Sequence, residues 1–186
     1  MQELSLNILD IAENSVKAGA ALITIDVCYR TAEDKLTVTI TDDGCGMDAE
    51  TVRKVTDPFY TTRTTRRVGM GLPLWKMAAE MTGGSMTVQS EPGIGTTVTA
   101  VFCVSHIDRL PLGDLPQTMT TLIGGSPQRD FVLRFAYDDR HFTVDTREVR
   151  AVLGEEIPLS EPEVLGFIAG QITEGITDCC PEPEKL

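Results

Sequence analysis

Asp10 and Asn14 stand four residues apart on the polar side of an amphipathic stretch, so a carboxylate and an amide oxygen project together from one helix face. Hard oxygens in that arrangement can hold a hydrated magnesium ion; a solvated helix face is the plain alternative. Further on, Asp42-x-Gly44-x-Gly46 follows a strand-like run. Glycines there let the backbone approach a flat ligand, while the acid remains to accept from an amino group such as that of adenine. An ordinary glycine turn would read the same. Gly69-Met70-Gly71 leads into a helical pattern, and a glycine approach to a helix N-terminus turns free backbone N–H groups toward phosphate. Arg63, Arg66 and Arg67 make residues 61–68 basic within an acidic chain, which suits a triphosphate or a solvated loop. A third glycine turn, Gly93-Ile94-Gly95-Thr96, precedes the last strand of this region. Each feature is common singly; their order and spacing together are not.

These groups need elements to hold them. Apolar spacing predicts a helix over 4–18, with Ile8, Leu9, Ala12 and Val16 in one arc, Asp10, Asn14 and Lys17 opposite, and Gly19 as its stop. Alternation predicts paired antiparallel strands at 23–29 and 36–40. Asp48 can cap a helix over 49–55, and 61–68 follows neither period and should be mobile. A helix over 72–81 is expected, with Pro73 in its first turn, Leu74, Met77, Ala78 and Met81 facing inward, and Gly83-Gly84 ending it. Strands at 86–89 and 97–104 complete a first unit, 1–104. Residues 105–178 read as a small α+β unit: a helix over 112–123, a hairpin of 131–137 and 141–144 across Asp138-Asp139-Arg140, and two short helices. Residues 179–186 read as a flexible acidic tail.

The 186 residues carry 28 acids against 16 bases, a formal charge of -12, with 15 acids to 7 bases in 105–186. That argues against nucleic-acid binding. No apolar run approaches the ~20 residues of a membrane helix, and the first residues lack the basic start of an export signal. A cytoplasmic protein with no membrane partner is expected. Five cysteines, odd in number and without C-x-x-C, and two histidines weaken disulfide and metal-cluster readings.

Taken together, the motifs resemble the ATP-binding domain shared by histidine kinases, gyrases, mismatch-repair ATPases and heat-shock chaperones, the GHKL superfamily. The resemblance covers residues 4–102. Ile8-Leu9-Asp10-Ile11-Ala12-Glu13-Asn14-Ser15 resembles the N box and Asp42-Asp43-Gly44-Cys45-Gly46 the G1 box. Asp57-Pro58-Phe59-Tyr60-Thr61-Thr62-Arg63 resembles the F box, and Gly69-Met70-Gly71-Leu72 the G2 box. The resemblance implies an α/β fold of the Bergerat type, an α+β two-layer sandwich with a mixed sheet, and ATP with Mg2+ as cofactors. It implies that Asn14 ligates the metal, that Asp42 takes the adenine amino group with support from Thr96, and that Gly44, Gly46 and Met47 shape that end. By the same likeness Lys17, Phe59, Thr61, Thr62 and Arg63 and then Gly69, Met70, Gly71 and Leu72 serve the phosphates and their lid.

Asp10 occupies the position where mismatch-repair and chaperone relatives carry a water-activating glutamate, and is one methylene shorter. Lys17 and the short lid look most like histidine and anti-sigma-factor kinases, although Pro73 replaces the third glycine of the usual G2 pattern. A phosphoacceptor histidine module ahead of the domain is not expected, since the N box begins within ten residues of Met1. His106 lies after the domain in a segment that only partly imitates an acceptor box. The resemblance therefore implies a kinase or nucleotide-controlled switch acting on a protein partner in trans, with Asp10 as catalytic base. Its alternatives are a hydrolysing dimer clamp, disfavoured because no lysine falls between Lys76 and Lys185, and a non-catalytic ATP sensor.

Overall fold

A computed structural model describes residues 3–57, 71–154, 157–183 and 186. Its elements run α1 (Leu4–Lys17), β1 (Leu22–Arg30), β2 (Lys35–Asp42), α2 (Ala49–Val55), α3 (Gly71–Met81), β3 (Ser85–Glu91), β4 (Gly95–Cys103), α4 (Leu115–Gly125), β5 (Asp130–Tyr137), β6 (Arg140–Asp145), α5 (Thr146–Leu153) and α6 (Pro162–Cys179). The strands form one mixed sheet in the order β3-β4-β2-β1-β5-β6. Neighbours are antiparallel except β1 and β5, which run parallel with Ile25 beside Leu133.

Alternation along the strands makes this a two-layer α+β molecule. Ile23, Ile25, Val27 and Tyr29 of β1 and Leu36, Val38 and Ile40 of β2 are buried under helices. The residues between them line a half-exposed face rich in threonine, where Thr39 and Thr99 approach to 3.2 Å across the β2–β4 pair. A strand with one solvated face shows this period of two. On the helical side, Leu4, Ile8, Ile11, Ala12 and Ser15 form the inner face of α1, and Trp75 packs on Phe102 with ring centroids 6.2 Å apart.

The face of α3 differs from the sequence expectation. Leu74, Met77 and Met81 are 40%, 49% and 60% exposed, while Pro73, Trp75 and Ala79 are buried. Both arcs are apolar, so periodicity alone does not choose between them; the wide, flat indole of Trp75 fills the space over Phe102, and its burial rotates the helix.

The second half is built onto the first. β5 extends the sheet from β1, and one buried cluster runs from Leu4 of α1 through Phe131 and Phe135 of β5 to Ile168 and Ile172 of α6. The first free N–H groups of α1 are answered from residues 111–112, with Leu4 N donating to the Pro111 carbonyl at 2.9 Å and Ser5 N to the Leu112 carbonyl at 2.7 Å. Residues 105–178 thus share a sheet and a core with 1–104. α4 begins at Leu115, capped by Asp114, and Leu112 is buried ahead of it outside the helix. The last helix spans 18 residues. Nor is residue 179 the start of a frayed tail: Cys179 and Cys180 are 4% and 2% exposed, and the Leu186 carbonyl accepts from Leu112 N at 2.8 Å and Arg109 Nη1 at 2.9 Å. Apolar burial and these carbonyl bonds outweigh the solubility of the neighbouring acids. Among the described residues, no helix is long and apolar enough to cross a membrane.

Candidate functional site

The glycine loop after β2 is fixed by its own acids. Asp43 Oδ1 accepts from the backbone N–H groups of Ala21 at 2.7 Å and Leu22 at 3.0 Å, tying the loop to the start of β1. Asp42 Oδ1 accepts from Gly44 N at 2.9 Å, and its Oδ2 accepts from Ser15 Oγ at 2.5 Å. The carboxylate is thereby held between α1 and the loop, and each oxygen keeps acceptor capacity for a ligand.

Two glycines are obligatory. Gly46 has φ 65°, and a Cβ there would overlap the Glu91 carbonyl oxygen; Gly95 has φ 137°, and a Cβ would overlap the Asp42 carbonyl oxygen. Side chains at either place would push the 42–47 loop off β3 and β4. Ser90 completes the brace: its Oγ accepts from Met47 N at 2.8 Å, donates to the Gly95 carbonyl at 2.9 Å and lies 2.9 Å from Thr96 Oγ1. Thr96 sits opposite Asp42 in the β2–β4 register.

A pocket of about 270 Å³ opens between α1, this loop, β4 and the first described turn of α3. Ile11, Met47, Val55, Leu72 and Val98 supply apolar walls, and Asn14, Ser15, Asp42 and Thr96 supply polar groups. Apolar walls with a few convergent polar groups suit a flat heterocycle with an amino edge. A larger groove of about 800 Å³ lies between α5 and α6, but its size does not make it the chemical site, because none of its described walls comes from α1 or the glycine loops.

The structure brings Asn14, Asp42, Gly46, Met47, Gly71, Leu72 and Thr96 to one pocket. Gly44 shapes the turn by donating to Asp42. Asp10 lies just outside the pocket, against α3: a Cβ on Gly71 would stand 3.6 Å from Asp10 Cβ and 3.8 Å from its Oδ2. Partial desolvation, helped by the nearby Glu13 charge and opposed by Lys17, pushes the Asp10 carboxyl above its usual range. Lys17 is not among the pocket walls; it pairs with Glu13 at 3.3 Å with its side chain 61% exposed. Phe59, Thr61, Thr62, Arg63, Gly69 and Met70 lie outside the described residues, as does the segment expected to be mobile.

Sequence reasoning missed Ser15 and Ser90, and Cys45, which also lines the pocket. Ser15 had a readable signal, since it is a polar residue four after Ile11 on the buried face of α1. Ser90 had none, because its role depends on strand register and the loop folded over it.

The sequence pattern described as "Histidine kinase-, DNA gyrase B-, and HSP90-like ATPase" matches residues 1–106. The chain belongs to this ATPase family. Histidine kinase 2 of Arabidopsis thaliana is 34% identical over 187 residues, covering 92% of this chain and 14% of its own length. The signal transduction histidine-protein kinase AtoS of Escherichia coli is 31% identical over 99 residues, 53% of this chain and 16% of its own. The heme sensor protein HssS of Staphylococcus saprophyticus is 35% identical over 94 residues, 50% of this chain and 20% of its own. The chain thus spans a fifth or less of these relatives. The solved N terminal domain of a DNA repair protein superposes with TM-score 0.55 at 13% identity, covering 83% of this chain and 58% of that one, a likeness of fold alone. The matched residues contain α1 through β4, the same elements that enclose the pocket around Asp42. The chain therefore carries the ATP-binding domain of this family.

Proposed function

We propose that the pocket binds ATP with magnesium and that the protein is a nucleotide-controlled regulator, a kinase or switch acting on a protein partner in trans. The observation that carries this reading is the clamped Asp42 carboxylate, held by Ser15 and Gly44 at the edge of a pocket that also contains Asn14 and Thr96. Asp42 would accept from the adenine amino group. Asn14 would hold the metal through its amide oxygen, which suits a magnesium ion that takes one or two protein ligands and completes its shell with phosphates and water. The metal would neutralise phosphate charge. Asp10, with its raised proton affinity and its place against Gly71, would accept a proton from the attacking hydroxyl of a partner or from water.

Calorimetric titration with ATP, with and without magnesium, tests the site. Asn14→Ala should abolish the magnesium-dependent part of the affinity while the thermal transition stays in place; unchanged affinity would remove Asn14 from the site. Incubation with ATP labelled on its terminal phosphate, beside Asp10→Asn, separates the mechanisms. Bound ATP without released phosphate supports a trans-acting kinase or switch. Many turnovers that Asp10→Asn silences would instead favour a hydrolysing clamp, whose closure would make a homodimer.

A further inference from the structure

Among the described residues, the groove between α5 and α6 shares no wall with the nucleotide pocket. Val144 at the end of β6 and Val164 of α6 lie buried along it at 5% and 9% exposure. Its lips leave Val152 of α5 87% exposed and Phe167 of α6 57% exposed. Large apolar side chains gathered at one concavity mark a contact surface rather than scattered surface residues.

The charged side chains that line the groove are acids. Asp145, Glu148, Glu161 and Glu163 line it, with no Lys, Arg or His among its described walls. Of the neighbouring bases, Arg147 pairs with Asp145 at 2.6 Å and offsets that one acid, whereas Arg150 is held by Asp130 at 2.9 Å and by the Pro127 carbonyl, neither of which lines the groove. Among the described residues, Glu148, Glu161 and Glu163 form no salt bridge. An anionic lipid surface would be repelled by such a rim, and so would a second copy of a chain with formal charge -12.

The geometry points to this groove as the docking site for an amphipathic helix of a partner protein, one with an apolar stripe flanked by Lys or Arg. The stripe would cover Val152 and Phe167, and the basic flanks would meet Glu148, Glu161 and Glu163. This is the helix-in-groove mode, in which apolar anchors give affinity and rim charges choose the partner. It does not depend on the nucleotide reading.

The test uses the full chain and a fluorescein-labelled synthetic helix about four turns long, with leucines on one face and lysines beside them, and a twin carrying glutamates in place of the lysines. Fluorescence anisotropy should show saturable binding of the basic helix and at least about tenfold weaker binding of its twin. Phe167→Asp and Val152→Asp should each weaken the basic helix by about tenfold or more. Glu163→Lys should weaken it less and flatten its salt dependence. Leu74→Asp, at an exposed apolar site on α3, should change nothing. Because Phe167 and Val152 are exposed, their variants should melt with the wild type, which separates lost docking from lost folding. Absence of saturable binding, equal binding of the two helices, or wild-type binding by Phe167→Asp would overturn the proposal. So would light scattering that shows a dimer of the chain abolished by Phe167→Asp, since the groove would then belong to a second copy.

Discussion

Asp42→Asn separates the chemistry of the pocket from its architecture. The Gly44 N–H, 2.9 Å from Oδ1, needs an acceptor, so the asparagine must keep its carbonyl oxygen on that side. Its amide nitrogen then replaces Oδ2, facing Ser15 Oγ at 2.5 Å. The hydroxyl can accept from that nitrogen and turn its own proton to the Ile11 carbonyl, 3.4 Å away. The loop therefore survives, and stability should fall by no more than about 1 kcal/mol, the worth of an ordinary hydrogen bond. Binding should suffer more. The adenine amino group loses a charged acceptor and meets a donor on the Ser15 side, which costs about 1.5–3 kcal/mol. That corresponds to roughly a 10- to 150-fold rise in the Kd for ATP. Inosine triphosphate, which presents a carbonyl where adenine has its amino group, should be spared or bind better, because the new amide can donate to it. Parallel titrations of the two nucleotides on the wild type and the variant read the ratio directly. Equal losses for both, with an unchanged melting temperature, would refute the assignment of Asp42 to the base.

Ser15→Ala removes the α1 anchor of Asp42 and should weaken ATP binding by roughly tenfold, about 1.4 kcal/mol, in the same titration. Gly95→Ala places a Cβ against the Asp42 carbonyl at a left-handed φ; it should destabilise by about 2–3 kcal/mol, lowering the melting temperature by about 4–12 °C in calorimetry. Trp75→Ala empties a fully buried site and should cost about 3–5 kcal/mol in urea unfolding, whereas Leu74→Ser on the exposed face should stay within about 0.5 kcal/mol. Reversal of that ranking would restore the other face of α3 to the core. Asp10 is held above its ordinary range, so the native state binds its proton more tightly than the unfolded chain. Its stabilising contribution is present below the ordinary carboxylate range and is lost as pH rises through the raised value. Asp10→Asn should then be more stable than wild type at neutral pH, and urea titrations at descending pH should show the gap closing.

The glycine loops and the helix carrying Asn14 were legible because backbone sterics and helical period act locally. Asp42-x-Gly44-x-Gly46 announces a turn in any context, and Asn14 shares a helix face with Asp10 wherever that helix packs. The inner face of α3 was not legible, since Leu74-Met77-Met81 and Pro73-Trp75-Ala79 are both apolar and only the space over Phe102 decides between them. Residues 105–178 read as a separate unit because the partner of β5 is β1, more than a hundred residues away, and a parallel pairing leaves no hairpin turn in the sequence to announce it.

The sequence by itself determined which residue types could bind a nucleotide, their order along the chain and the elements that bear them, because these follow from short-range geometry. Only the tertiary structure decided that Ser15 and Ser90 hold the site, that Lys17 pairs with Glu13 away from the pocket walls, and that the second half carries an acid-rimmed groove of its own. Hydrogen bonds such as Ser15 to Asp42 span 27 residues. Their existence depends on how helices and strands pack together, a relation that no local pattern encodes.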